Sequence, residues 1–410
     1  MTNKKSVVSW VLYDFGMAWF SMVVLTAYFI LYFKNVIAGG EKGYGDFLWG
    51  AAVSTAMAAS VLLSPVLGAV ADATSKKKSF FLLSAGISIL STMLLYFTGP
   101  GQIAPAMILV ITGYAGYTIA MTFYNAFLPE IAEPSQVEKL SGIGWGIGYI
   151  GGLAALICMA FLVPSVEAGK HIVLLAGIVY GAFAVPAFLF LQDTAPHPSG
   201  VGNRSMKEGI LRLIQTFREI RSYRAIFTFL IAYFFISDAI STVVVFFSSY
   251  TVDTLHFTVG QNIALLMLIQ LSAAAGAMAS GILSRKFGII RTIIITILIW
   301  IAALLGIIAF SSIAAFYALS VCAGVVLGAT QAAARSFMAV ETPPGKHAEF
   351  FGFMTFSTKV AAIFGPLLYG IISTRTNNAR LSVLSLEVLF IVGLLIMLQV
   401  PRAQSTAKRA

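Results

Sequence analysis

Twelve apolar stretches of about twenty residues or more, six on either side of a charged interruption near Asp193–Arg224, limit what this chain can fold into. A stretch such as Val7–Phe33 or Thr292–Phe310 is long enough to cross, or nearly cross, a hydrocarbon core ~30 Å thick. Hydrophobic residues make up 59% of the chain and charged residues 10%, against roughly 25% charged in a soluble domain. In lipid every backbone polar group must be satisfied internally, which leaves helices or closed barrels. A barrel needs short alternating strands and a polar interior, and a run like Ile294–Ile299 offers neither. The expectation is an all-α membrane protein of twelve transmembrane helices.

The net charge of +10 raises the question of nucleic acid, and the placement of the charges answers it. If the N-terminus starts inside, about twenty of the 26 basic residues fall on one side, in Lys4–Lys5, Lys76–Lys78, Lys139, the 192–224 connection, Arg285–Arg291, Arg335, Lys346 and the C-terminal tail. Lys34, Lys42, Lys170, Arg375 and Arg380 fall opposite, and Lys359 lies within a span. That asymmetry is the positive-inside bias, with both termini cytoplasmic. It predicts a lipid environment and no nucleic-acid partner. The first apolar stretch is too long for a cleavable signal and lacks a small-residue cleavage site. Cys158 and Cys322 both fall inside spans, and the four histidines are scattered, so no disulfide framework and no metal site is expected.

The spans read as 7–33, 47–71, 78–98, 103–128, 139–163 and 170–191, then 224–250, 258–283, 289–310, 313–337, 349–372 and 379–400. This divides the chain into an N-terminal six-helix bundle (1–191), a cytoplasmic linker (192–223) and a C-terminal six-helix bundle with a short tail (224–410). In the linker, Ser205 and Glu208 have capping-box spacing, and Ile210, Leu213, Ile214, Phe217 and Ile220 follow at helical intervals. A basic amphipathic helix on the membrane surface is expected there, with docking to a partner protein as the rival reading. The halves are weakly similar. Ala115-Gly116, Thr122 and Glu133 recur as Ala323-Gly324, Thr330 and Glu341, all 208 residues later. Parallel six-span repeats with a site near midplane are a common transporter design.

Gly68-Ala-Val-Ala-Asp72 followed by Lys76, Lys77 and Lys78 resembles the Gly-x-x-x-Asp plus basic cluster between helices two and three of major facilitator superfamily transporters. There the resemblance implies a cytoplasmic gate, the carboxylate facing the start of a helix of the other half. A carboxylate is favoured at a helix N-terminus, which supplies the physics. The second-half copy has Gly281 but carries Arg285 where the pattern expects Asp, so a symmetric gate is not implied. Further segments are similar to the vacuole-effluxer (autophagy-related permease) branch and its bacterial relatives. They are Leu12-Tyr13-Asp14-Phe15 with Thr26, Tyr124-Asn125-Ala126-Phe127-Leu128-Pro129-Glu130, Ser141-Gly142 through Gly151-Gly152, Ala232 through Asp238, and Gln331 through Ser336 with Glu349 through Phe353. The resemblance implies export of small solutes, notably amino acids in the fungal vacuolar members. Gly16-Met17-Ala18 departs from the small polar pair that usually continues the first motif.

A charge within a span is a functional-site hypothesis by default. Asp238 in span seven is the preferred coupling or substrate-binding acid, with a structural carboxylate as the bland alternative. Asp14 in span one lies on an equivalent helix of the other half and is as readily structural. Lys359 is expected to face a cavity and pair with Asp238 or with an anionic substrate group. Arg335 serves either a substrate carboxylate or the inner gate. Tyr124, Asn125 and Gln331 supply neutral hydrogen bonds, or bridge helices. Glu387 in the last span is expected to pair with a neighbouring helix. Gly146-Ile-Gly148-Tyr-Ile-Gly151 fits a nucleotide-binding spacing but lies in a span without strand-turn-helix context. No hydrolase triad or Walker loop is present, so the chain is not expected to be an enzyme.

The reading is a secondary active transporter for a small polar solute, an amino acid or related compound, working by alternating access with H⁺ as coupling ion and exporting its substrate. No cofactor and no obligate protein partner is expected, and compact loops favour a bacterial inner membrane. The alternatives are transport of a metal chelate or other organic anion, and a non-transporting receptor of the same fold.

Overall fold

The computed structural model describes residues 4–39, 44–163, 165–193, 214–215, 223–249, 259–310, 312–362, 364–365, 372 and 379–401. Among them the main helices are α1 (Lys4–Trp19), α2 (Tyr44–Thr74), α3 (Lys77–Leu95), α4 (Ile103–Ile131), α5 (Val137–Leu162) and α6 (His171–Phe190). Then follow α7 (Arg224–Ser249), α8 (Val259–Phe287), α9 (Ile289–Ala309), α10 (Ile313–Glu341), α11 (His347–Ala361) and α12 (Ala379–Met397). Helix α1 continues through π-helical turns at Phe20–Ala27 and Phe33–Ile37, with one α-turn at Phe29–Tyr32 between them. Ten helical stretches among the described residues are long and apolar enough to cross a membrane. Each expected span overlaps one of the twelve helices, the span 349–372 only as far as Ala361 of α11. The expected amphipathic helix at 205–221 lies outside the described residues, except for Ile214 and Gln215, which are helical.

The helices are apolar on both sides, as lipid requires, and what separates inside from outside is residue size and packing. In α9, Ile293, Ile297, Trp300 and Leu304 are buried at helical spacing, while Ile295, Leu298, Ile299 and Leu305 are exposed. Helices α8 and α10 approach closely along small residues: Ala273, Ala277, Gly324 and Gly328 line the contact, and Ser280 Oγ donates to the Ala329 carbonyl at 3.0 Å. Loop chemistry sets the ends. Ser312, before α10, accepts from the Ala315 N–H at 3.2 Å, an N-cap for this long apolar helix.

The chain folds as two compact units. The first comprises Met1–Glu133, Ile147–Leu213 and Pro344–Thr355; the second comprises Pro134–Gly146, Ile214–Pro343 and Phe356–Ala410. These differ from the sequence-based bundles at two places. The start of α11 belongs with the first unit, and the start of α5 belongs with the second. In each case hydrogen bonds and glycine-mediated contact, described next, hold a helix's first turns to helices distant in the sequence.

Candidate functional site

In the first unit, α1 and α4 bring together two of the candidate residues. Asp14 is 1% exposed, and its Oδ2 accepts a hydrogen bond from the Tyr124 hydroxyl at 2.6 Å. Trp10, one turn before Asp14, stacks on the Tyr124 ring with centroids 4.5 Å apart and donates from Nε1 to the Tyr124 carbonyl at 2.9 Å. Tyr13 shares a 2.8 Å hydroxyl contact with Tyr180 of α6. Gly148 of α5 closes the cluster, since a Cβ there would lie 3.7 Å from that of Asp14. Asp14 is thus enclosed and hydrogen-bonded by aromatic residues. Asn125 is half-buried on the next position of α4.

At the end of α2, the Asp72 carboxylate accepts from the backbone N–H of Glu349 at 2.9 Å. Glu349 lies in the first turn of α11, where N–H groups have no intrahelical acceptor. One turn earlier, Gly68 packs directly on this segment, and a Cβ at that position would collide with the Ala348 carbonyl. The basic triplet has three separate fates. Lys76 is exposed. Lys77 is 3% exposed, ion-paired with Glu130, 4.9 Å above the Phe127 ring, and bonded to the Ala126 carbonyl at 3.2 Å. The Lys78 N–H donates to Asp193 Oδ1 at 2.9 Å. Burial pushes the Asp193 carboxyl above its ordinary value, opposed by that N–H and by the Lys77 and Lys78 charges.

The second unit holds its own helix start in a different way. Gly281 of α8 packs on the start of α5, where a Cβ would come within 2.7 Å of the Glu138 carbonyl oxygen. The residue expected to act there by analogy, Arg285, is exposed. Arg335 of α10 reaches α5 instead. It is 2% exposed, with Nη2 donating to the Ser141 carbonyl at 2.7 Å and Nε to Ser141 Oγ at 3.1 Å. Ser141 Oγ in turn donates to the Ala332 carbonyl at 2.8 Å, and the guanidinium lies 5.2 Å from the Trp145 ring centre. Gln331, one turn before Arg335, is half-buried.

Asp238 of α7 is 1% exposed. Its Oδ1 accepts from the Gly365 N–H at 2.8 Å, and its Oδ2 has no hydrogen-bond partner among the described residues. The glycine is required, because a Cβ on residue 365 would come within 2.6 Å of that Oδ1. Ser241 and Thr242 turn their hydroxyls back to the Asp238 carbonyl at 3.0 and 2.8 Å. An ion pair between Asp238 and Lys359, one of the two partners expected for that lysine, does not occur among the described residues. Lys359 is half-buried on α11, which ends at Ala361, before Gly365. Glu387, expected to pair with a neighbouring helix, has no hydrogen bond to either carboxyl oxygen among the described residues.

Sequence reasoning passed over Trp10, Tyr180 and Gly365, and gave no role to Ser141 or Trp145. Tyr13, Glu130 and Ser141 stand inside motif segments already singled out, so their roles were within reach. Gly365 carries no signal in the sequence, since its contribution is a backbone N–H and an absent side chain.

Comparison with known proteins agrees with this architecture. The family described as "Vacuole effluxer Atg22 like" matches residues 47–410. The MFS-type transporter YxiO of Bacillus subtilis is 29% identical, across 97% of this chain and 95% of its own length. Autophagy-related protein 22 of Saccharomyces cerevisiae is 28% identical over 66% of the chain. That match takes in 58% of the yeast protein, so the chain spans just over half of this fungal relative. Among solved structures, the human organic anion transporter MFSD10 aligns over 96% of this chain and all of its own, with a TM-score of 0.76 and 16% identity. A bacterial homologue of the iron transporter ferroportin aligns over 97% of this chain and 99% of its own, with a TM-score of 0.72 and 15% identity, which bears on the fold alone. The chain is a multi-pass membrane protein of the major facilitator fold, and it belongs to the vacuole effluxer Atg22-like family of transporters.

Proposed function

We propose that the protein is a proton-coupled secondary transporter that exports a small polar solute, an amino acid or related compound, by alternating access. The observation that carries this reading is Asp238, an acid within a span with one oxygen held by the Gly365 N–H and the other without a hydrogen bond among the described residues. A carboxyl group that meets water in one state and is enclosed in another changes its proton affinity between them, and that difference is what couples a proton to a conformational change. Lys359, Asn125 and Gln331 are assigned to the solute, and Asp14 with Tyr124 to the support of α1 against α4. Similarity to the fungal autophagy-related proteins supports an effluxer.

The conformational step in this reading is the release of two helix starts. Asp72 and Gly68 hold the first turns of α11; Arg335 and Gly281 hold those of α5. The clustering of basic residues supports a cytoplasmic placement of these ends and of both termini, and the compact loops favour a bacterial inner membrane.

Proteoliposomes loaded with candidate amino acids supply the test. A pH gradient is expected to drive solute movement in the wild type, and Asp238→Asn is expected to abolish that dependence. Movement indifferent to the gradient in the wild type, and undiminished in the variant, removes the role assigned to Asp238.

A further inference from the structure

Helix α12 presents two faces. Leu384, Val388, Ile391, Leu395 and Leu398 are exposed and recur at helical spacing, forming the outer stripe. Leu386, Glu387, Phe390 and Met397 are buried on the opposite side. This inner face meets α7 and α9. Gly393 packs on α7, where a Cβ would come within 2.6 Å of Ile236 Cγ1, and Phe390 stacks on Trp300 of α9 with ring centroids 5.6 Å apart. Glu387, one turn before Phe390, is 4% exposed on this inner face.

Neither carboxyl oxygen of Glu387 receives a hydrogen bond among the described residues. The titratable residues on the two helices that meet this face are Arg224, Tyr233 and Asp238 on α7 and Arg291 on α9. None of them is hydrogen-bonded to it, and the Trp300 Nε1 donor on α9 also has no partner among the described residues. A carboxylate enclosed among apolar side chains without counter-charge or donor is costly, and such a group takes up a positive ligand. A metal ion needs several oxygen or nitrogen ligands, and no group of three or more His, Cys, Asp or Glu able to hold one occurs among the described residues. A proton needs only the one oxygen.

We propose that Glu387 is a second proton-binding site of this protein, separate from Asp238, at which the side chain is carried through the membrane as a neutral carboxylic acid. The site lies on α12, a helix that carries none of the residues assigned to the solute. What the bound proton is used for rests on the proton-coupled reading above; its presence does not.

Infrared difference spectra of the full chain in lipid at neutral pH, wild type against Glu387→Gln, test the site. Glutamine keeps the shape of the neutral acid. The expected result is loss of a carboxylic-acid C=O stretch in the variant; loss of the two carboxylate stretches instead overturns the proposal. Should the variant fail to fold, the wild type is treated with N,N′-dicyclohexylcarbodiimide and analysed by peptide mass. The acid proton passes to a carbodiimide nitrogen, a carboxyl oxygen bonds to the central carbon, and the acyl group then shifts to nitrogen with nothing leaving. The expected peptide carrying Glu387 gains the whole reagent mass, whereas an unmodified Glu387 beside a modified Asp238 overturns the proposal. If Asp238→Asn leaves transport undiminished, the coupling reading fails while both measurements still report on Glu387.

Discussion

The Asp72 carboxylate holds the backbone N–H of Glu349 at 2.9 Å, joining the end of α2 to the first turn of α11 across 277 residues of sequence. The bond uses a donor that the helix leaves unsatisfied, and it places a negative charge where the helix dipole favours one. Replacing the side chain removes both effects. Asp72→Ala is expected to cost about 1 kcal/mol, the usual worth of a lost N-terminal cap, with Asp72→Asn intermediate. Thermal unfolding in detergent measures the loss, and a cysteine placed at Phe351, which is buried in the wild type, should become more reactive.

The Lys77–Glu130 pair is enclosed by Phe127 and the Ala126 carbonyl, so removing one partner leaves a charge in poor surroundings. Lys77→Met or Glu130→Gln alone is expected to cost about 3–5 kcal/mol, whereas an apolar pair replacing both recovers most of it. A double-mutant cycle on thermal stability reads the coupling. Additive single effects would show that the two side chains act independently.

Tyr124→Phe keeps the ring stacked on Trp10 and deletes only the hydroxyl that Asp14 accepts from. The expected cost is about 1–3 kcal/mol, because a buried acceptor loses a donor. Asp14→Asn in the same background is expected to restore part of that stability. Denaturation of the two variants and their combination checks the order.

Arg335→Lys keeps the charge but loses the fork that spans Ser141 Oγ and its carbonyl. An ammonium cannot reproduce that planar pair of donors or the contact with the Trp145 ring. The expected loss is about 1.5–3 kcal/mol, the range for hydrogen bonds to a charged group. Ser141→Ala, which spares the carbonyl, is expected to lose less. If Arg335 served mainly as a solute contact, the lysine variant would weaken solute binding and leave the melting temperature unchanged.

Asp193 offers a prediction in pH. Its carboxyl is raised by burial, so in the folded protein the ionised form is disfavoured relative to the unfolded chain. Stability attributable to this group is therefore present at acid pH and is lost as pH rises from the ordinary Asp value through the raised one. Asp193→Asn can still accept from the Lys78 N–H without carrying the charge. The variant is expected to match the wild type in acid and to gain on it as pH rises, in melting curves followed across that range.

Much of the site was legible because lipid narrows the choices. Asp14, Asp238 and Arg335 could be singled out as charges within apolar runs, and Asp72 from its spacing after Gly68. Partners were harder. Lys359 and Asp238 are the obvious opposite charges, yet Asp238 takes the Gly365 N–H, because a glycine lets the backbone come within reach. Arg285 stands where the repeat places a gate residue and is exposed, while Arg335 on another helix does the clamping. Hydropathy records which residues leave water; it does not record helix rotation, and rotation selects the partner.

The twelve helices follow from the apolar lengths themselves, since a backbone in hydrocarbon has no other way to satisfy its N–H and C=O groups within one segment. No such compulsion governs how helices meet. That the start of α11 joins the first unit and the start of α5 the second was decided by surfaces in three dimensions. Gly68 and Gly281 supply backbone close enough to touch, and Asp72 and Arg335 supply groups able to bind a helix's open end. Those hydrogen bonds join residues 277 and 194 positions apart, and between lipid-facing helices it is packing and single hydrogen bonds, rather than hydrophobicity, that choose the neighbour.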